Sequence, residues 1–203
     1  MIALIDYGAG NLTSVRKALT ALGAAFTVPQ SPGECARASA LIVPGVGHFA
    51  AAAALEGEWR ETIAAAVGAG MPLLGICLGM QWLFEGSDEA PEVSGLGVMP
   101  GRIVKLQSDP GQRLKVPHVG WNALDVRGGA RLLRHVPTGS QVYFTHSFAA
   151  PVTAACVAST THANTFASVV ERDNVFGVQF HPEKSGGAGL QILRNFLETV
   201  RPC

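Results

Sequence analysis

Three residues of this chain stand in patterns that bear on covalent chemistry: Cys77, His181 and Glu183. Cys77 closes the apolar run Pro72-Leu-Leu-Gly-Ile-Cys, with Gly75 and Gly79 two positions to either side. A nucleophile framed as G-x-nucleophile-x-G has the form of a sharp strand-to-helix elbow that presents one side chain. The glycines are needed where a tight elbow leaves no room for a Cβ. A helix beginning at Leu78 would aim free N–H groups at the site, favouring a thiolate and offering a donor to a developing oxyanion. Without that frame Cys77 would be one more buried cysteine, which is the reading kept for Cys35, Cys156 and Cys203.

A nucleophile needs a base. The segment Gly177-Val-Gln-Phe-His-Pro-Glu-Lys-Ser185 places His181 and Glu183 just after an apolar strand. Residues two apart in an extended segment face the same side, so the Glu183 carboxylate can hold the His181 imidazole in one tautomer. Cys, His and Glu then take the roles of nucleophile, base and orienting acid. A third signal is Pro44-Gly45-Val46-Gly47, where two glycines permit peptide orientations closed to other residues. Its N–H groups are candidates for the second half of an oxyanion hole, an ordinary Pro-Gly turn being the alternative. The other histidines, His48, His118, His135, His146 and His162, show no HxxxH or HExxH spacing, so neither a metal site nor a metal cofactor is expected.

These residues need a scaffold, and the hydrophobic pattern supplies an α/β one. Residues 2–5, 40–43 and 72–76 are apolar runs of strand length. Between them Leu12, Val15, Leu19 and Leu22 recur at helical spacing with Gly23 as a stop, and an Ala-rich stretch after the Pro-Gly turn reads as helix through about Val67. The residues after Cys77 read as helix as far as Gly86. Such alternation predicts a mostly parallel central sheet flanked by crossover helices. The second half changes texture: residues 102–106, 141–145, 153–157, 166–170 and 175–179 are short Val-, Phe- and Thr-rich stretches that predict an antiparallel extension. A last helix carries Leu190, Leu193, Leu197 and Val200. The 203 residues are read as a single domain, 1–203.

Composition excludes several function classes. Hydrophobic residues make up 48% and charged ones 15%, a balance incompatible with disorder. Fifteen Lys and Arg offset fifteen Asp and Glu, leaving no basic footprint for a nucleic-acid partner. No run approaches the roughly 18 apolar residues of a membrane span. The start MIALIDYGAG lacks a basic n-region before its apolar stretch, so a cytoplasmic location is expected. The cysteines have no CxxC spacing, which agrees with a reducing compartment.

Taken together, GICLGMQ and GVQFHPE resemble the two signatures of the class I glutamine amidotransferases. Within that superfamily DYGAGNL at 6–12, PGVG at 44–47, PHVGWN at 117–122, YFTHSF at 143–148 and HPEKSG at 181–186 resemble the glutaminase subunits of imidazole glycerol phosphate synthase. The motifs run from the first strand to the last helix. The resemblance implies that Cys77 attacks the side-chain amide of L-glutamine, that His181 protonates the departing ammonia, and that N–H groups of Leu78 and of the Val46-Gly47 turn hold the oxyanion. It also implies glutamine contacts from Gly45, Gly47, Gln81, His146, Ser147 and Phe148. A heterodimer with a cyclase subunit, a β/α barrel that consumes the ammonia, follows from the same resemblance, with Asn11, Trp121, Asn122 and Lys184 near the interface. For Trp121 the other reading is a core aromatic. Two departures stand out: His48 replaces a small apolar residue, and Phe148 an aromatic hydroxyl. The competing readings are the same chemistry serving another synthase, a regulatory subunit without turnover, and a cysteine hydrolase or redox sensor built on the same elbow.

Overall fold

A computed structural model describes residues 1–10, 12–108, 111 and 114–200. The first half runs β1 (Ile2–Leu4), α1 (Leu12–Ala21), β2 (Phe26–Thr27), β3 (Ala40–Gly45), α2 (Glu58–Gly68), β4 (Leu73–Cys77) and α3 (Leu78–Trp82). The second half holds β5 (Gly86–Ser87), β6 (Ala90–Ser94), β7 (Arg102–Lys105), β8 (His118–Ala123), β9 (Asp125–Val126), β10 (Gln141–His146), β11 (Phe148–Ala149), β12 (Cys156–His162), β13 (Asn164–Arg172), β14 (Val175–Val178) and α4 (Gly186–Thr199).

Eight strands form the central sheet in the order β2-β1-β3-β4-β14-β13-β12-β9. The members from β2 to β14 are mutually parallel, and the pairs from β14 outward are antiparallel. Its two faces carry separate cores. Ile2 and Leu4 of β1 pack with Val15 and Leu19 of α1 and with Ile192, Leu193 and Phe196 of α4. Ala3 and Ile5 point the other way, toward Ile63 of α2 and Leu78, Met80 and Trp82 of α3. This alternation with a period of two is why the buried strands read as continuous apolar runs. A four-stranded sheet, β11-β7-β5-β6, and the β8–β10 ribbon complete the fold.

The expected architecture is present, with four local differences. The Ala-rich stretch is not one helix: a 3₁₀ segment covers Phe49–Leu55, and α2 starts only after Gly57, whose φ of 63° breaks the helical path. The helix after Cys77 stops at Trp82, and Gly86 already pairs in β5. The strand expected at 153–157 lies at Cys156–His162. β14 joins the two halves, antiparallel to β13 but parallel to β4, a direction that apolar composition does not encode. Among the described residues no helix is long and apolar enough to cross a membrane.

Candidate active site

Parallel pairing brings the reactive segments to one edge of the sheet. Gly45 of β3 pairs with Cys77, and Val178 of β14 pairs with Ile76 on the other side of β4. The chain beyond Val178 therefore leaves the sheet beside Cys77, at the carboxyl ends of the strands where α/β folds place their ligands. Cys77 itself has φ 53° and ψ −108°, a left-handed conformation for a residue with a side chain. Such a backbone costs on the order of 1–3 kcal/mol and persists only when its surroundings impose it. Here α3 packs so closely that a Cβ at Gly75 would meet the Gly79 carbonyl oxygen at 2.6 Å, and one at Gly79 would collide with the Val43 carbonyl.

His181 is fixed by its main chain. Its N–H donates to the Tyr143 carbonyl at 2.9 Å, and its carbonyl accepts from Ser185 Oγ at 2.6 Å. The ring Nδ1 donates to Glu183 Oε1 at 2.9 Å, and both side chains are 3% exposed. That bond leaves Nε2 as the nitrogen for proton transfer, buried and without a hydrogen-bond partner among the described residues. Burial alone would favour the neutral ring. The proximity of Cys77 and the Glu183 carboxylate outweigh it and push the imidazole up to about 10. The ring thus senses Cys77, while Sγ accepts from Gln179 Nε2 at 3.7 Å.

Cys77 opens onto a cavity of about 320 Å³, within the range that accepts an amino acid. Val46, Gly47, Leu78, Gln81, Glu89, Pro117 and residues 145–148 line it with Cys77. Of the expected contacts, Gly47, Gln81, His146, Ser147 and Phe148 are there. Gly45 is not: it lies inside β3, beneath the Tyr7 hydroxyl, because the strand runs one residue past Pro44. Among the expected oxyanion donors, Val46, Gly47 and Leu78, the amides of Leu78 and Val46 differ in what they meet. Leu78 N–H heads α3, where a helix leaves its first amides unpaired. The Val46 N–H donates to the Ala9 carbonyl at 2.7 Å and so is not directed at the cavity.

The expected interface residues divide. Trp121 is 56% exposed, which excludes the core-aromatic reading, and Lys184 is exposed too. Asn122 turns inward, its amide nitrogen donating to the Thr161 carbonyl at 3.1 Å and meeting His118 Nε2 at 3.3 Å. Asn11 lies outside the described residues. His48 caps the 3₁₀ segment, its Nδ1 accepting from Ala50 N–H at 3.1 Å.

Sequence reasoning missed Glu89, Tyr7 and Gln179. Glu89 places a carboxylate on the cavity wall, with Oε2 accepting from Phe49 N–H at 2.8 Å. Nothing in its loop flagged it. Tyr7 buries a hydroxyl without a partner among the described residues, and burial, then the charge of Cys77, hold its pKa above the usual value. Gln179 stands two residues before His181, the spacing that pointed to Glu183.

The family model for glutamine amidotransferase class-I matches residues 3–200. The chain is similar to the imidazole glycerol phosphate synthase subunit HisH of Thermosynechococcus vestitus, 47% identical over 98% of this chain and 97% of that one. It is likewise similar to the subunits of that description from Methanothermobacter thermautotrophicus, 45% identical over 99% and 100%, and Deinococcus radiodurans, 43% over 100% and 95%. A solved glutamine amidotransferase shares the fold with a TM-score of 0.75 at 19% identity, over 98% of each chain.

Proposed function

From its membership of the class-I glutamine amidotransferase family, to which this chain belongs, we propose that Cys77, His181 and Glu183 release ammonia from L-glutamine. The chain is the glutaminase subunit of an imidazole glycerol phosphate synthase, and its fold is that of the family. The observation that carries the site assignment is the meeting of Cys77, on its left-handed elbow, with the buried His181–Glu183 pair.

With His181 protonated by virtue of its raised pKa, Cys77 reacts as a thiolate. Sγ attacks the side-chain carbonyl carbon of glutamine, and the carbonyl oxygen takes up the negative charge against Leu78 N–H. The C–N bond breaks as His181 Nε2 delivers its proton to nitrogen, releasing ammonia and leaving a thioester. Water then attacks, His181 takes its proton, and glutamate leaves with the thiolate restored. Glu89 supplies a negative wall for the substrate's α-ammonium, and Gln81, both of whose amide hydrogens are engaged, presents its oxygen.

The ammonia passes to a partner subunit. We read that partner as a cyclase of β/α-barrel form, which carries the lyase step, docked as a heterodimer on the face bearing Val119, Trp121 and Lys184. We also read residues 1–203 as one domain working without a cofactor, in the cytoplasm. Cys77→Ala tests the site: glutamine-dependent synthesis by the complex is lost while synthesis fed with ammonium salts persists. Loss of both would make Cys77 a structural residue.

A further inference from the structure

Beyond the triad, a run of buried polar groups links the β8–β10 ribbon to the reactive sulfur. His118 and His146, paired across the ribbon, meet through Nδ1 and Nε2 at 3.1 Å. The Phe148 carbonyl accepts from His146 Nδ1 at 2.9 Å and from Gln81 Nε2 at 2.9 Å. Gln81 Nε2 also donates to Gln179 Oε1 at 3.2 Å, and Gln179 Nε2 donates to Cys77 Sγ at 3.7 Å.

Donor and acceptor inventory leaves this run one arrangement of protons, its two halves converging as donors on the Phe148 carbonyl. A carbonyl only accepts, so the proton on His146 is at Nδ1, and its Nε2 must accept. His118 therefore carries its proton at Nδ1, and its Nε2 accepts from the Asn122 amide. Burial first, then the neighbouring imidazoles, hold His118 down to about 3, and burial holds His146 down to about 4, so both rings stay neutral near pH 7. The His118 ring is further clamped between Phe144, 4.8 Å away, and His162, 4.1 Å away, both nearly parallel to it. Reversing the Gln179 amide would break its bonds to Gln81 and to Cys77 at once. Its orientation is therefore set by the groups behind it.

We propose that His118 is a positioning residue for the glutaminase reaction: by donating to His146 it holds that ring against the Phe148 carbonyl and so keeps in place the acceptor that orients Gln81, which in turn fixes the Gln179 amide that donates to the Cys77 sulfur and supports its charged form. This rests on the reading of Cys77 as the nucleophile. Strand β8 presents Val119 and Trp121 to solvent and His118 and Asn122 to the interior, so the docking strand also carries the head of the run.

The test compares His118→Asn with His118→Leu in the complex with the cyclase partner. The two substitutes are close in size and both lose the ring stacking, but only Asn keeps a donor near the position of Nδ1. Turnover with glutamine is expected to stay within about threefold of the parent for His118→Asn and to fall roughly tenfold for His118→Leu, the effect of leaving one buried acceptor unpaired. Alkylation of Cys77 by iodoacetamide, followed by peptide mass, is expected to slow in the same ratio. Equal losses in the two variants overturn the proposal. Gln179→Met removes the last donor without touching the histidines, so an unchanged alkylation rate there overturns it even if His118→Leu fails to fold. Alkylation needs no glutamine: a parent chain that releases no glutamate would refute the glutaminase reading, while the contrast among variants would still decide the positioning role.

Discussion

The Val46 amide and the Ala9 carbonyl are joined by a hydrogen bond of 2.7 Å, which engages one of the expected oxyanion donors. Rotating the peptide before Val46 would break this bond and swing the N–H into the cavity beside Leu78. Such a rotation changes ψ of Gly45, a residue without a Cβ, and φ of Val46, in a segment that is exposed at Val46.

In consequence, glutamate release by the isolated chain should be slow and should rise by about 10² to 10³ with the cyclase partner and its nucleotide bound, the effect of restoring one oxyanion donor. Parallel assays with and without the partner check this. Equal high rates in both would show that the bond to Ala9 gates nothing.

Glu183→Gln keeps the shape of the site but removes the charge that helps to hold His181 protonated. The raised pKa keeps the imidazolium present until the pH climbs through about 10. In the variant that alkaline limb should move to lower pH, and kcat should fall by roughly 10² to 10⁴. A pH profile of kcat/KM with an unmoved alkaline limb would contradict the assignment.

His118 and His146 act on stability in the opposite sense. Their folded pKa values, about 3 and about 4, lie below the unfolded value near 6.5. The unfolded chain therefore binds more protons between those limits. Their contribution is complete above about pH 6.5 and is withdrawn as the pH falls toward 3. Urea unfolding midpoints across pH 7 to 4 should drop less steeply in His118→Asn than in the parent.

Gly79→Ala should cost at least about 2 kcal/mol, since the new methyl collides with the Val43 carbonyl and the backbone of α3 must lift off β3. Thermal unfolding checks this; a melting temperature equal to that of the parent would mean the elbow is less tightly packed than its geometry shows.

Trp121→Ala removes a side chain that is 56% exposed and touches Tyr143 edge-on at 6.1 Å. Stability should change by no more than about 0.5 kcal/mol. Affinity for the cyclase partner should fall by about 2 kcal/mol or more, as for an aromatic anchor at an interface. Calorimetric titration of the two subunits measures it, and undiminished affinity would move the interface elsewhere.

Local patterns carried the sequence reading a long way. The elbow around Cys77, the His-Pro-Glu triplet and the alternation of apolar runs with helical periods each depend on a few neighbouring residues. They were therefore sufficient to indicate the reaction class and the mostly parallel sheet. The family resemblance also marked Gln81 and the segment 146–148. Where the reading failed, the missing information was not local. Gly57 interrupts an Ala-rich stretch whose composition favours helix, and β14 takes its direction from the hairpin that precedes it.

The sequence by itself thus determined the family and singled out the candidate reacting groups, because a nucleophile elbow and a base with its orienting acid are encoded within ten residues each. Only the tertiary structure decided that Gly45 lies beneath Tyr7, that Val46 is tied to Ala9, that Glu89 lines the cavity, and that Asn122 faces His118. Each of these relations joins separate segments of the chain, and strand register, the direction of pairing and side-chain packing bring such segments together.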